Sequence, residues 1–460
     1  MPTASTTGAA HPARGAGQPI GDSPGAESRR ECAVGVKNPF QKLRLHRAAR
    51  DRRLQFARPT GAITPRRRLS VLIVLLPTMQ RRHFLASASA LTLPSLFHTR
   101  LSQAAVTPPA NALVIGCSAA VTGPLAGFGQ GIQQGVNAAF AEINEQGGVN
   151  GRPLHFALVD DGYKPESSVD NVKQLLSNNK VVALMGCMGT PNNTAITPLI
   201  EASDMVHLGP LTGAASLRKA SIKNVFHVRA SYNDEVKRLV DNLVSMNLRD
   251  LTIVYLDNGF GKELLQVGLN ALSGKGLKAV AQVAVATDGK NVDSAVSEVL
   301  ASKPSAVLMF TAGNVSAALT AAARKASPGL PIAGLSVTYT AAGITQLGDA
   351  ASGIALTMIM PDALATKHLL VRRYQKAMRA MDQTDFNGSS LEGYVNAQLM
   401  IEGLKKAGAN PSRSKIREAI GDIRNMDLGG FRVDYSAPST RVGSEYVDLG
   451  ILSKNGRFLG

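Results

Sequence analysis

The sequence predicts an α/β protein made of two parallel-sheet lobes. Three observations carry that expectation. From Ala112 onward strand-like and helix-like segments alternate with little between them. The strand segments are almost continuously apolar, as strands covered by helices on both faces are. The alternation then restarts near Ser231, so there are two runs.

The first run opens with a strand at ALVIGC and a loop carrying Gly123, Gly127, Gly129 and Gly131. A helix follows, with Ile132, Val136, Phe140 and Ile143 forming one apolar stripe, ended by Gly147 and Gly148 in a left-handed cap. The strand PLHFALVDD leads to a helix with Val169, Val172 and Leu176 at helical spacing. VVALMG leads to a helix opening at TPNNTAITPLIEAS, and MVHLGP closes the run. The second run begins with a capping box, Ser231 and Asp234, ahead of Val236, Leu239, Val240 and Leu243. It continues LTIVYLD, a helix through Leu264, Leu265, Gly268 and Leu272, KAVAQVAVA, a helix at Val292 to Leu300, SAVLMF, a helix from Asn314, and PIAGLS. After GIALTMIMP come the helices KHLLVRRYQKAMRAM and SSLEGYVNAQLMIEGLKKAG, then GGFRVDYS and a hairpin turn at Asn455-Gly456.

The glycines raise the question of a dinucleotide site. Gly129, Gly131 and Gly135 read G-x-G-x-x-x-G, one residue longer than the usual fingerprint, and lie about ten residues past the strand. A fingerprint glycine follows its strand directly, so that the turn delivers a pyrophosphate to the helix N-terminus. A nucleotide is therefore disfavoured, and a Rossmann-like nucleotide-dependent enzyme is the rival class. No G-x-S-x-G elbow and no P-loop string occurs. Asp160-Asp161 ends a strand, but neighbouring residues on an extended chain point to opposite faces, so a cap or loop anchor is the expected role. His155, His207, His227 and His368 have no metal-like spacing and are expected to be structural or surface groups. No enzyme chemistry, metal or cofactor is expected.

The 460 residues carry a formal charge of +17, concentrated at the front. Residues 1–78 hold 14 Lys or Arg against 4 Asp or Glu, whereas residues 105–460 hold 33 against 29. A nucleic-acid-binding core is not indicated. Residues 1–78 lack any sustained period and are expected to be disordered or the product of a start codon assigned too early. Residues 79–104, MQRRHFLASASALTLPSLFHTRLSQA, have the order of a twin-arginine export signal starting at Met79. The run RRRLSVLIVLLP is far shorter than the ~20 residues of a membrane span. Of three cysteines, Cys32 precedes this signal; Cys117 and Cys187 fall in or just past core strands, where inert thiols and a disulfide both remain open.

In this order the segments from about 111 to 460 resemble the periplasmic leucine/isoleucine/valine-binding protein family, the receptors of branched-chain amino acid ABC transporters. The most specific stretch is IGCSAAVTGPLAGFGQGIQQGVNAAFAEINEQGGVNGRPL; LVDDGYKPESSVDNVKQLL, ALMGCMGTPNNTAITPLIE and DNGFGKELLQVGLNAL support it. The resemblance implies two doubly wound lobes joined by three crossovers, a type I periplasmic binding fold. Lobe 1 would comprise 105–230 plus 358–428, and lobe 2 231–357 plus 429–460. It implies a periplasmic monomer that holds a small ligand between the lobes and serves an ABC permease, without nucleic acid; a sensing lobe for a signalling partner is the other role.

The resemblance also assigns a site. Phe128 stands where the family often has an aromatic lining residue. Thr190, at the helix start after the third strand, would hold a ligand carboxylate, and there the unpaired N–H groups and helix dipole independently favour an anion. Leu211 and Gly213 correspond to the second carboxylate-binding turn. In lobe 2, Ser336 replaces the acidic residue that amino-acid-binding members use for the ammonium, and Ala312 or Gly313 replaces an aromatic. These departures favour an aliphatic or aromatic carboxylate without an α-amino group, with a branched-chain or other amino acid as the alternative.

Overall fold

The computed structural model describes residues 108–437 and 440–459. The extension and the export signal therefore lie outside the described residues. Lobe 1 begins with β1 (Leu113–Ala119), α1 (Ala126–Glu145), β2 (Leu154–Asp160), α2 (Pro165–Ser177), β3 (Val181–Met185), α3 (Thr190–Glu201), β4 (His207–Leu208) and β5 (Val225–Phe226). Its sheet is parallel throughout, in the order β2-β1-β3-β4-β5. β1 is wholly buried, in keeping with a strand that is apolar except for Ser118.

The chain crosses to lobe 2 between Phe226 and Tyr232. There it forms α4 (Tyr232–Ser245), β6 (Leu251–Leu256), α5 (Gly259–Ser273), β7 (Ala281–Val285), α6 (Val292–Ala301), β8 (Ala306–Phe310), α7 (Asn314–Ala326), β9 (Ile332–Gly334), α8 (Ala341–Leu347) and β10 (Ala355–Met358). The expected capping box opens α4: the Asp234 amide donates to Ser231 Oγ at 3.3 Å and the Ser231 amide to Asp234 Oδ2 at 3.1 Å. A second crossover returns the chain to lobe 1 for α9 (Leu369–Ala380), α10 (Gly388–Ala407), α11 (Arg413–Gly421) and a small antiparallel pair, β11 (Met426–Asp427) and β12 (Arg432–Val433). A third leads to β13 (Asp448–Leu452) and β14 (Phe458–Leu459).

The second sheet runs β14-β13-β10-β9-β8-β6-β7, so it is parallel from β10 to β7 and antiparallel at one edge. The Asn455-Gly456 turn makes that edge, with Gly456 at φ 69°. The final crossover comes later than the sequence boundary at 428 suggests. Residues 429–437 and 440–443 stay on lobe 1: the Tyr435 amide donates to Ile423 O at 3.0 Å, the Gly443 amide to His227 O at 2.8 Å, and Tyr435 packs edge-on against Phe226.

The glycine-rich stretch is not a loop. α1 starts at Ala126, so Gly127, Gly129, Gly131 and Gly135 are helical. A side chain on Gly135 would drive into the Ser390 carbonyl, and one on Gly129 into that of Ala120. These glycines let α1 lie closely on α10 and on the end of β1. The stripe of Ile132, Val136, Phe140 and Ile143 is buried as expected, and Gly147 and Gly148 end the helix at φ 94° and 77°.

Candidate functional site

The site is built where strand ends of both sheets face each other. From lobe 1 come Leu125 and Phe128 ahead of and on α1, Tyr163 after β2, Met188, Gly189 and Thr190 at the start of α3, and Leu211 after β4. From the first crossover and lobe 2 come Tyr232, Phe260, Ala312 and Val337. The cavity between them measures about 20 Å³, room for about one water, so the lobes are closed on each other. The Asn314 amide donates to Pro124 O across the cleft at 3.2 Å, and Ser216 Oγ donates to Glu263 Oε2 at 2.7 Å.

Four of the six sequence-assigned residues, Phe128, Thr190, Leu211 and Ala312, thus share one cavity wall or the other. Gly213 and Ser336 do not line it. Tyr232 lies over Gly213, where a side chain would strike its ring, and the Tyr232 amide donates to Gly213 O at 2.8 Å. The Ser336 amide donates to the buried Glu235 Oε2 at 2.9 Å, which turns that loop so that Val337 faces the cleft.

α3 opens at Thr190, with Gly189 as its cap at φ 93° and Thr190 as its first helical residue. The Thr190 hydroxyl is 2.7 Å from that of Thr212, and Thr212 Oγ1 accepts from the Ala214 amide at 3.2 Å. Thr212 therefore has its own proton to give. When it goes to Thr190 Oγ1, the Thr190 proton is left for a group in the cleft. Behind this helix start a buried network holds the frame. Asp161 accepts from Ser118 Oγ at 2.9 Å, Ser168 Oγ at 2.7 Å and the Tyr163 amide at 2.8 Å, and Asn192 Nδ2 donates to Ser168 Oγ at 2.7 Å. Burial pushes the Asp161 carboxyl up against those hydrogen bonds. Asp160 ties down the loop above, accepting from the Val121 amide at 2.9 Å and Thr122 Oγ1 at 2.6 Å. Both aspartates are anchors, as their opposed directions on the strand predict.

Sequence reasoning missed Tyr163, Tyr232, Phe260 and Val337. Tyr163 follows Gly162 as a second left-handed residue, φ 64° after 53°, a conformation Asp161 supports through the amide above. Phe260 stands in the first turn of α5, whose cap Asn258 Oδ1 accepts from the Gly261 amide at 3.0 Å, and stacks edge-on with Tyr232 at 5.6 Å. For Tyr232 and Phe260 the available signal is an aromatic in the first turn behind a helix cap, Ser231 and Asn258 respectively. Burial pushes both tyrosine phenols up, so they are neutral hydrogen-bond donors and acceptors. No residue lining the cavity carries a formal charge.

The hinge side is charged and buried. Arg229, on the first crossover, donates from Nε and Nη2 to Glu392 on α10, each at 2.9 Å, with side chains 3% and 2% exposed. Arg218 donates to Arg229 O at 3.2 Å and Ala230 O at 3.1 Å; burial, then the neighbouring Arg229, pushes it down to about 10. Among the described residues no group of His, Cys, Asp and Glu could hold a metal ion, and no helix is long and apolar enough to cross a membrane.

Comparison with known proteins agrees with this architecture. Residues 112–447 match the family model for periplasmic binding proteins. A Leu/Ile/Val-binding protein of Rhizobium johnstonii is 23% identical over 356 residues, covering 75% of this chain and 93% of that one. An extracellular ligand-binding receptor from Verminephrobacter eiseniae superposes with a TM-score of 0.71 at 27% identity, over 76% of this chain and all of that one. A solute-binding protein from R. palustris in complex with benzoate, 20% identical, shares the fold with a TM-score of 0.68 over 76% of this chain and 95% of that one. The chain belongs to the periplasmic binding protein family, as a type I member of the Leu/Ile/Val-binding branch that serves ABC-type transport from outside the cytoplasm.

Proposed function

We propose that the protein captures a small carboxylate without an α-amino group, aliphatic or aromatic, between its lobes and delivers it to an ABC permease. One observation carries this reading: every cavity-lining residue is uncharged, while the α3 N-terminus and the Thr190 hydroxyl remain available to an anion. An ammonium enclosed there would lose solvation worth several kcal/mol with no lining carboxylate to replace it. Phe128, Phe260, Leu211 and Val337 instead offer apolar walls to a hydrocarbon body. The benzoate held by the R. palustris protein is a ligand of this chemistry.

An amino acid is the second reading, and Glu235 favours it. This carboxylate, fully buried just behind the Ser336 turn, keeps Oε1 without a hydrogen-bond partner. Calorimetry with benzoate, short aliphatic acids and leucine separates the two. Binding of an acid at micromolar or tighter Kd without leucine binding is the expected outcome; tight leucine binding with no response to the acids overturns it. We further infer export by the twin-arginine route, with the exported chain starting close to Ala104 or Ala105. N-terminal sequencing of extracytoplasmic protein that still carries residues 1–78 would defeat that.

A further inference from the structure

Only two cysteines occur in residues 105–460, 70 positions apart, and the fold brings them together. β1 and β3 pair with Gly116 opposite Leu184, and the strands meet again where the Met188 amide donates to Ser118 O at 3.1 Å. Between these anchors Cys117 stands alone against Met185, Gly186 and Cys187. The β3 side must bulge, and Gly186 takes φ 72° to do so. The bulge swings Cys187 back toward β1, where its Sγ accepts from the Ser118 amide at 3.5 Å. That amide belongs to the peptide Cys117 begins, so the Cys187 sulfur sits against the backbone of Cys117. Both are buried and unbridged. Neighbouring strands about 4.8 Å apart bring Cα atoms within the span a disulfide requires.

We propose that Cys117 and Cys187 form a disulfide in the exported protein, stapling the β3 end that carries the ligand-facing helix start to β1. Cys187 is the attacking sulfur. The hydrogen bond from Cys117, with His207 and the Ser118 amide, holds its thiol well below the usual range against the effect of burial, while burial first and then Cys187 push Cys117 up. The oxidant is a disulfide-bearing exchange partner. The Cys187 thiolate attacks one partner sulfur and expels the other as a thiolate, giving a mixed disulfide. Cys117 then attacks Cys187 Sγ and expels the remaining partner sulfur. Both cysteine protons end on the partner's two thiols, so the protein loses two electrons and two protons. Cys187 is packed among lobe 1 residues such as Leu184, Ile196 and Ile200, so the exchange partner reaches it by local opening of the turn from Gly186 to Gly189.

The staple bears on the site because the Cys187 carbonyl is its keystone. It accepts from the Leu211 amide at 3.0 Å and from Asn193 Nδ2 at 2.9 Å, and the Cys187 amide donates to His207 Nε2 at 3.3 Å. The inference rests on the family's extracytoplasmic location, where disulfides persist, and is independent of the ligand's identity. The test is peptide mapping of wild-type protein from the extracytoplasmic fraction, quenched in acid and alkylated with iodoacetamide in denaturant. Linked peptides containing Cys117 and Cys187, lost on prior reduction, are expected. Both cysteines alkylated without reduction would overturn the proposal. As a second measurement, purified reduced protein treated with oxidised glutathione should lose about 2 Da. A stable glutathione adduct on Cys187 instead would show that Cys117 cannot reach it, and would equally overturn the pairing.

Discussion

Replacing Thr190 by Val removes one hydroxyl and keeps the side chain's shape, which makes it the sharpest probe of the site. Thr190 is 4% exposed, so the replacement leaves no room for water to take over the lost hydrogen bond. Its partner Thr212 loses an acceptor 2.7 Å away. That loss is felt in the free and the bound protein alike, and it largely cancels from the binding constant. What does not cancel is the bond from Thr190 to the ligand. To an ionised carboxylate such a bond is worth about 1.5–3 kcal/mol, against about 0.5–1.5 kcal/mol for a neutral acceptor. At 1.4 kcal/mol per tenfold, the variant should bind a carboxylate about 10- to 150-fold more weakly. The primary amide of the same acid should lose only about 2- to 12-fold. Calorimetry on both ligands at pH 7 reads the difference. Equal loss for acid and amide, or a carboxylate Kd unchanged within error, would show that the charge does not sit at the α3 start.

Two further outcomes concern the frame. Glu392→Gln leaves Arg229 buried without its counter-charge and should cost about 3–5 kcal/mol of stability, read as a lower melting temperature; a double replacement of Arg229 and Glu392 by apolar residues should recover most of it. Asp160 is held below the usual carboxylate range because Thr122 and the Val121 and Gly162 amides outweigh the upward push of burial, so its folded pKa lies below its unfolded one. Its contribution is then present above the unfolded pKa and lost as pH falls through the folded one; melting temperature against pH should drop on the acid side, and Asp160→Asn should flatten that drop.

How far the fold was legible follows from which interactions are local. The capping box at Ser231, the left-handed end of α1 and the buried stripe of Ile132, Val136, Phe140 and Ile143 depend on residues within a few turns, and the sequence states them directly. The role of Gly129 and Gly135 does not, because it is fixed by the carbonyls of Ala120 and Ser390, the latter more than 250 residues away. The hold of lobe 1 on residues 429–437 and 440–443 is equally non-local: β12 has two residues, and the hydrogen bonds that hold the segment reach His227 and Ile423. The site divides the same way. Thr190 lies in the cavity wall at a helix start, a feature that creates its own field and is legible locally. Ser336 lies off the cavity wall, its amide held by a carboxylate distant in sequence, Glu235. Tyr232 and Phe260 could not be assigned to the cleft before the approach of the lobes was known.

That approach is held lightly, and the weakness has a functional meaning. The hydrogen bonds that span the cleft mouth, Asn314 to Pro124 and Ser216 to Glu263, sit at or near the surface, where each contributes about 0.5–1.5 kcal/mol net. Two conformations between which a ligand shifts the population typically differ by a few kcal/mol. Moving a two-state balance from 1:99 to 99:1 takes about 5.5 kcal/mol of differential affinity. A micromolar ligand has about 8 kcal/mol of binding free energy in total. A carboxylate held at Thr190 with its body against Phe260 and Val337 touches both lobes, so most of that energy exists only in the closed form. A ligand confined to the Thr190 side would bind open and closed forms alike and shift nothing. Small-angle scattering distinguishes them: saturating ligand should reduce the radius of gyration, and an unchanged radius with calorimetrically proven binding would mean that the lobe 2 wall takes no part in recognition.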